Sequence, residues 1–175
     1  MASSDSEMNT IVYQGEYFSI RHDGDSEFVH TGDEVLVVPL TEAGEVIVIS
    51  EPAPAFGEHA LLVPGGEVEP AEPHIETANR ELQEEIGYKA GRLDFLGELR
   101  PFSKYLTVRS FVYLARDLAP SYLQGDEGYT IATERVVLAE FERLISAGRL
   151  RDARVIAALF MARQFVAPIR SGGGL

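Results

Sequence analysis

The sequence predicts a mixed α/β fold, on the strength of three observations. The runs EVLVVPL (34–40) and EVIVISE (45–51) are rich in Val and Ile and are separated by TEAG, which predicts two strands joined by a turn. Residues 74–86 contain neither Gly nor Pro, which predicts a helix. Apolar residues recur at helical spacing in 152–168, which predicts a C-terminal helix. Strands interrupted by one helix and closed by others are typical of a layered α/β domain.

The N-terminal region predicts a small additional sheet. Residues 1–9 are polar and predict a disordered tail. Residues 11–31 contain the strand-like pieces IVYQ, YFSIR and EFVH, with a turn in HDGDS. At the other end, SGGGL (171–175) predicts a flexible tail. The length of 175 residues suits one domain with a substantial core, which we place at 10–170.

Further elements are predicted on both sides of the helix at 74–86. The Pro- and Gly-rich segment before it predicts a loop, a short strand at 59–63 and a turn at 64–66. After it, RLDFLGELRPF, TVRSFVYLARDL and ERVVLA predict three strands. AEFERLISAG then predicts an amphipathic helix ahead of the C-terminal one.

The composition excludes several classes of protein. Hydrophobic residues make up 45% of the chain and charged residues 25%, which is ordinary for a globular domain. The absence of Cys excludes a disulfide framework and a Cys-ligated metal. The net charge of −13 argues against binding to nucleic acid or to an anionic membrane. Because no long apolar run or signal-peptide pattern is present, we expect a soluble cytoplasmic protein.

The helix at 74–86 combines an acidic cluster with an apolar stripe. Glu81, Glu84 and Glu85 are spaced i, i+3 and i+4, so their like charges repel one another on one side of the helix. A divalent cation such as Mg²⁺, which prefers carboxylate oxygens, would remove that conflict. A solvated acidic face is the alternative, and the three carboxylates alone favour it. The stripe consists of Ile75, Ala78, Leu82 and Ile86.

Residues 66–88 place these carboxylates in a longer pattern: Gly, five residues, Glu, seven residues, then Arg-Glu-aliphatic-any-Glu-Glu-any-Gly-aliphatic. Its members here are Gly66, Glu72, Arg80, Glu81, Leu82, Glu84, Glu85, Gly87 and Tyr88. The seven fixed identities, at roughly 7% each, coincide on the order of once in 10⁸ starting points. This stretch resembles the Nudix box. Tyr88 stands where that family usually has an aliphatic residue, and we interpret it as a packing variation.

The resemblance implies a fold and a chemistry. The fold is a Nudix-type α/β/α sandwich with a mixed β-sheet between helices. The reaction is hydrolysis of a nucleoside diphosphate linked to another group, with a divalent metal and water. The members of the box would take two kinds of role. Metal ligands would be Glu81, Glu84 and Glu85, with catalysis assigned to Glu84 and Glu81, and with Gly66 allowing close approach of the backbone to metal or phosphate. Structural roles would fall to Glu72 and Arg80, which tie the helix to its preceding loop, and to Gly87 at the helix end.

A locally basic segment after the box is the candidate for substrate binding. One or two of Arg100, Lys104 and Arg109 would face the pocket and hold phosphate, and Tyr105 or Phe102 would stack on a base. Scattered solvated charges and core aromatics are the alternative. The acidic loop at Gly125 supplies a candidate catalytic residue, since the resemblance assigns a base-positioning Glu to such a loop. Glu127 is that candidate and Asp126 is second, and a turn with solvated acids is the alternative.

The order of elements after the box is similar to that of the bacterial ADP-compound hydrolases, relatives of ADP-ribose pyrophosphatase. This resemblance implies Mg²⁺-dependent hydrolysis, with Mn²⁺ as an alternative ion, of ADP-ribose to AMP and ribose 5-phosphate or of a related ADP compound. It also implies a homodimer formed through the N-terminal sheet, 10–31. Alternative substrates are NADH, dinucleoside polyphosphates, GDP-mannose and nucleoside triphosphates. The alternative outside enzymology is a Nudix module that senses a nucleotide.

Two positions depart from the pattern of ADP-ribose pyrophosphatases. Many of these enzymes have an acidic residue, often a metal ligand, two positions before the Pro that precedes the box; this chain has Leu62 there. They also commonly have Arg after the second strand, where this chain has Glu51 and Pro52. The resemblance therefore leaves the metal count and the substrate contacts open.

Overall fold

The structure, a computed structural model, describes residues 8–125 and 131–167. The strands are β1 (Met8–Gln14), β2 (Ser19–Asp23), β3 (Ser26–His30), β4 (Glu34–Pro39), β5 (Glu45–Ala53), β6 (Glu58–Leu62), β7 (Gly65–Glu67), β8 (Tyr88–Leu99), β9 (Ser110–Pro120) and β10 (Ala132–Val137). The helices are α1 (His74–Glu85), α2 (Glu142–Ser146) and α3 (Ala153–Val166), and a 3₁₀ turn lies at Leu138–Glu140. Within these ranges, none of the helices has the length and apolar character that a membrane span requires.

The strands pair in three sheets within the described residues. The N-terminal sheet has the order β1-β2-β3 and is antiparallel. The central sheet has the order β7-β4-β9-β8; β4 and β9 are parallel, whereas β7 and β8 are antiparallel to their neighbours. The third sheet, β10-β5-β6, is antiparallel and meets the end of β4 through a bridge between Leu40 and Val46.

Two hydrophobic cores lie on opposite faces of the central sheet. Because side chains alternate along a strand, Leu36 and Val38 of β4 enter one core and Val35 and Val37 enter the other. The first core is closed by α3, and the second is closed by α1. The mixed sheet therefore lies between helices, which is the predicted α/β/α sandwich.

The predicted turn at 64–66 is wrong in its second half, because Gly65–Glu67 form β7. This short strand pairs antiparallel to β4, with Gly65 opposite Leu36 and Gly66 opposite Val35. The approach requires glycine, since a Cβ on Gly65 would lie 2.1 Å from the carbonyl oxygen of Val35. The strand places the start of the box beside the central sheet.

Helix α1 follows the predicted range closely, with one error in its apolar stripe. Pro73 precedes the first helical residue, and Gly87, at a φ of 73°, follows the end of the helix as predicted. Ala78 and Leu82 are fully buried against the sheet. Ile75 is 48% exposed, so its place in the stripe is wrong. It lies in the first turn, beyond the part of the helix that packs on the core.

The N-terminal sheet begins earlier than expected. β1 starts at Met8, opposite Asp23, and so takes the end of the predicted tail 1–9 into a strand. The remainder of that tail and the predicted tail 171–175 lie outside the described residues. The sheet is joined to the rest of the chain at Val29, whose N–H donates to the carbonyl of Tyr105 at 2.8 Å and whose carbonyl accepts from Thr107 N–H at 3.1 Å.

Helix α3 is anchored at its N-terminus by a charged network. Asp152 caps the helix by accepting from the backbone N–H groups of Arg154 (2.9 Å) and Val155 (3.1 Å). The guanidinium of Arg154 also donates to Glu34 at the start of β4, at 2.8 and 2.9 Å. Burial by itself would raise the pKa of Asp152. The hydrogen bonds and charge of Arg154, together with the N–H groups of the helix N-terminus, outweigh this effect, so the pKa lies below its usual value.

We predict that Asp152→Ala lowers the free energy of unfolding by about 1–2 kcal/mol at neutral pH, because the helix loses its cap. Asp152→Asn is the matched control, since it keeps a capping oxygen without the charge. The contribution of the charge is complete above the unfolded-state pKa of about 3.9 and is lost as the pH falls through the lowered folded-state pKa. Denaturant unfolding of both variants at neutral and acid pH measures the contribution of the helix cap and that of the Asp152 charge to stability. Equal stability of wild type and Asp152→Ala at pH 7 would contradict the capping role.

Candidate active site

A cavity of about 430 Å³ lies between β7, the loop that follows it, and α1. Among the described residues, it is lined by six glutamates but by a single basic residue, Arg80. This surplus of acidic side chains makes the cavity strongly electronegative. The six are Glu51, Glu67, Glu69, Glu81, Glu84 and Glu85.

Helix α1 brings the three predicted metal ligands to this cavity. Glu81 and Glu85 are buried, with exposed fractions of 6% and 8%, and Glu84 is half-buried. Glu85 accepts a hydrogen bond of 3.0 Å from the backbone N–H of Gly65 through Oε2. Burial of carboxylates requires compensating partners, so this is no solvated acidic helix face. The structure therefore places Glu81, Glu84 and Glu85 together.

Gly66 lies directly against one of these carboxylates. A Cβ added to Gly66 would lie 2.3 Å from Oε1 of Glu81 and 2.7 Å from its Cδ. Glycine is required here because any side chain would push the Glu81 carboxylate away. The close approach predicted for Gly66 is therefore an approach to the acidic cluster.

Arg80 joins the helix to the loop before it. Its Nε and Nη2 each donate to the Glu72 carboxylate at 3.1 Å, and Nη2 also donates to the Glu67 carbonyl at 3.3 Å. Its Nη1 donates to Glu81 Oε1 at 2.8 Å and to Glu84 Oε2 at 3.2 Å. The hydrogen bonds from Arg80 lower the pKa of Glu72, and the same bonds raise the pKa of Arg80. The pair carries the contacts that the structural role of Glu72 and Arg80 requires.

The donor chemistry of the cavity fits a divalent cation. Carboxylate oxygens are the ligands that Mg²⁺ prefers, and Gly66 leaves room for its backbone to approach. In the described part of the chain, however, no group of three or more His, Asp or Glu side chains already has the arrangement of a metal shell. Arg80 and Gly65 engage the oxygens of the three helix glutamates instead.

Glu51 also lines the cavity, although the sequence marked it only as a departure from the pattern of ADP-ribose pyrophosphatases. It lies on β5, two positions beyond the buried Ile49, and lines the cavity beside the helix glutamates. The alternation of a strand carries a signal here, since Ile47, Ile49 and Glu51 share one face of β5. Leu62, by contrast, packs against the core that α3 closes.

Arg100 and Arg109, two of the four predicted substrate contacts, are engaged outside the cavity. Arg100 is exposed and pairs with Glu98 at 2.8 Å. Arg109 donates hydrogen bonds from Nε and Nη2 to the carboxylate of Asp33, and these bonds raise the pKa of the guanidinium. Neither arginine lines the glutamate cavity.

Lys104 and the two aromatic residues predicted to bind substrate, Phe102 and Tyr105, lie together in the segment 101–107. The Lys104 ammonium lies 5.1 Å from the ring centre of Tyr105, and the rings of Phe102 and Tyr105 are 5.1 Å apart. All three side chains are exposed, and they do not line the glutamate cavity. The roles of Lys104 and Tyr105 in substrate binding remain predictions.

The predicted catalytic loop residues, Glu127 and Asp126, lie outside the described residues. The segment that leads to them is held on α1. Ser121 N–H donates to the carbonyl of Gly87 at 2.8 Å, and Leu123 N–H donates to the carbonyl of Gln83 at 3.1 Å. The Gln83 side chain also donates to Ser121 Oγ at 3.0 Å. The chain therefore enters this loop beside the C-terminal half of α1.

The family of the chain follows from its match to known proteins. The model of the NUDIX domain family matches residues 30–159. The chain belongs to the Nudix family. It is 33% identical over 134 residues to the ADP compounds hydrolase NudE of Escherichia coli (strain K12), an alignment that covers 77% of this chain and 72% of the relative. It is 25% identical over 135 residues to the ADP-ribose pyrophosphatase of Bacillus subtilis (strain 168), covering 76% of this chain and 73% of the relative.

The fold of this Nudix chain also matches a solved structure. The crystal structure of an ADP compounds hydrolase superposes with a TM-score of 0.76 at 27% identity, covering 94% of this chain and 97% of the other. The predicted Nudix-type fold is therefore confirmed. Together with the family match, these relatives identify the chain as a Nudix hydrolase similar to ADP-compound and ADP-ribose hydrolases.

The two adjacent glycines give a matched pair of substitutions. We predict that Gly66→Ala lowers kcat/KM by about ten-fold or more while the protein stays folded, because the new Cβ displaces the flexible end of Glu81. Gly65→Ala should instead lower the thermal unfolding temperature, because its Cβ meets the backbone of Val35. Kinetics and thermal unfolding of both variants separate the effects. Unchanged kcat/KM in Gly66→Ala would contradict the close packing of Gly66 on a catalytic carboxylate.

Proposed function

We propose that the chain is a Mg²⁺-dependent pyrophosphatase of ADP-ribose or a related ADP compound, which releases AMP and a phosphorylated moiety. The observation that carries this proposal is the cavity in which carboxylates from α1 and β5 meet the close-packed glycine strand β7. The names of the similar proteins, an ADP compounds hydrolase and an ADP-ribose pyrophosphatase, support the substrate class.

Each residue of the cavity takes a defined part in this proposal. Glu81, Glu84 and Glu85 hold the metal, with the backbone at Gly66 close by. The bound metal neutralises pyrophosphate charge and lowers the pKa of the attacking water. The backbone N–H of Gly65 donates to Glu85 and keeps this carboxylate at the cavity between turnovers. Glu127 stays the proposed catalytic residue of the acidic loop.

Charge supports the dependence on metal. A pyrophosphate is an anion, and the cavity that would bind it carries six glutamates against one arginine among the described residues. Without added positive charge, an anionic substrate is repelled by such a cavity. Divalent cations on the glutamates reverse this repulsion. We further propose that Arg100, Lys104, Arg109 and Tyr105 contact more distant parts of the substrate.

A homodimer belongs to the same proposal. The N-terminal sheet and the turn after β1 expose several large hydrophobic side chains, and a second copy of the chain is the partner proposed for this surface. These side chains are Ile11, Val12, Tyr13, Tyr17 and Phe18. Light scattering would measure the mass in solution, and a monomer would contradict this part of the proposal. The cytoplasmic location stays a prediction.

The proposal is tested on a substrate panel with Mg²⁺, with Mn²⁺ and with chelator. The panel contains ADP-ribose, NADH, a diadenosine polyphosphate, GDP-mannose and dGTP, and released products are separated and quantified. Metal-dependent AMP production with ADP-ribose or another ADP compound ahead of the rest supports the proposal. Preference for GDP-mannose or dGTP would replace the substrate class. Metal binding without turnover of any substrate would favour the nucleotide-sensing alternative.

We predict that Glu84→Gln lowers kcat by on the order of 10²-fold or more, because the cavity loses a charged metal ligand. Glu76→Gln is the matched control: this residue is exposed on the first turn of the same helix and does not line the cavity. Circular dichroism should show the same helix content in both variants. Wild-type kcat in Glu84→Gln, or an equal loss in Glu76→Gln, would remove the metal assignment.

A further inference from the structure

We propose that Arg80 is an internal counter-ion of the catalytic glutamates, and that a divalent cation displaces one arm of its guanidinium when it binds. This inference rests on the proposed metal site and adds a competition within it. Nη1 of Arg80 donates to both Glu81 and Glu84. Binding of a cation is then an exchange of one positive group for another.

The guanidinium of Arg80 is divided into two arms by its contacts. One arm, Nε and Nη2, is bound to both oxygens of Glu72 and to the carbonyl of Glu67. The other arm, Nη1, uses its two N–H groups for Glu81 and Glu84. All five N–H donors of the side chain are therefore engaged. Because the guanidinium is a rigid plane, Nη1 loses its bonds when the side chains of Glu81 and Glu84 turn away from it, while Nε and Nη2 stay on Glu72.

The charge and burial of the cluster explain why a counter-ion is needed. Glu81 is buried and the Arg80 side chain is only 26% exposed, so the group is partly removed from water. Removing a carboxylate from water is unfavourable unless a positive charge lies beside it, and Nη1 contacts the buried Glu81 and the half-buried Glu84. Arg80 supplies that charge when no metal is bound.

The same contacts place Arg80 in competition with a metal ion for the carboxylates of Glu81 and Glu84. A divalent cation takes its ligands from Glu81 and Glu84, the carboxylates that Nη1 now contacts. Two positive groups on the same carboxylates repel. At about 5 Å, even in a water-like dielectric, a double and a single charge repel by roughly the energy of a ten-fold change in affinity, and partial burial makes the repulsion larger. A purely structural Arg80 would instead preorganise the carboxylates, and its removal would weaken metal binding or leave it unchanged.

The test compares Arg80→Gln with Glu72→Gln by calorimetric titration of each folded protein with Mg²⁺. We expect Arg80→Gln to bind Mg²⁺ about ten-fold more tightly than wild type, because the competing charge is gone. Glu72→Gln removes the anchoring partner but keeps the Nη1 arm, so its affinity for Mg²⁺ should not rise. In chelator, Arg80→Gln should unfold at a lower temperature than wild type, and Mg²⁺ should raise its unfolding temperature by more.

Several outcomes would overturn the inference. Equal or weaker Mg²⁺ affinity in folded Arg80→Gln does so while leaving the proposed function intact. A gain in affinity in Glu72→Gln equal to that in Arg80→Gln also does so, because loosening alone would explain both. Absence of Mg²⁺ binding by wild type overturns the proposed metal site and the exchange together.

A measurement on the wild-type protein covers the case in which Arg80→Gln does not fold. In protein labelled with ¹⁵N-arginine, the Nη1 protons of Arg80 should be resolved in chelator, because two hydrogen bonds restrict rotation about Cζ–Nη1. Saturating Mg²⁺ should average these signals while the Nε–H resonance stays in place. Nη1 signals that do not change on addition of Mg²⁺, with binding verified by calorimetry, would overturn the exchange.

Discussion

The side chain of Arg80 joins three parts of the site: the end of β7, the loop 68–73 and the acidic cluster of α1. Its contacts with Glu72 and the Glu67 carbonyl hold the irregular loop 68–73 against the helix, and its contacts with Glu81 and Glu84 hold the acidic cluster together. Like charges on one helix face repel, so a neighbouring cation stabilises such a cluster. The arginine of the motif supplies that cation from within the chain, and the cavity depends on it.

The central sheet gives this cluster a rigid support. β4 is buried on both faces, in the core under α1 and in the core under α3, and β7 pairs along its edge. The two glycines of β7 are therefore held at one distance from α1, since β4 and α1 pack on each other. At its start, β4 is tied to α3 by the ion pair of Glu34 with Arg154. The carboxylates thus stand on elements that packing holds in place.

The basic residues Arg100 and Arg109 lie outside the acidic cavity. Arg100 and Arg109 are already paired with acidic neighbours, and Arg109 in particular is bound by Asp33. Within the cavity, the positive charge among the described residues is that of Arg80. An anionic substrate would therefore need further positive charge there, which is why the proposed function couples metal binding to substrate binding.

Much of the fold and the core of the site follow from the sequence, because they depend on local rules. Runs rich in Val and Ile predicted β4 and β5, a run without Gly or Pro predicted α1, and helical spacing predicted α3. The spacing of the box predicted which three glutamates stand together. Contacts between distant residues decided the rest. Gly65–Gly66 form a strand because β4 lies beside them, Ile75 is exposed because the core ends before the first turn of α1, and Arg109 meets an aspartate 76 positions away. Glu51 enters the cavity for the same reason, since it lies on β5, 30 or more positions from the helix glutamates, and only the tertiary fold makes them line one cavity.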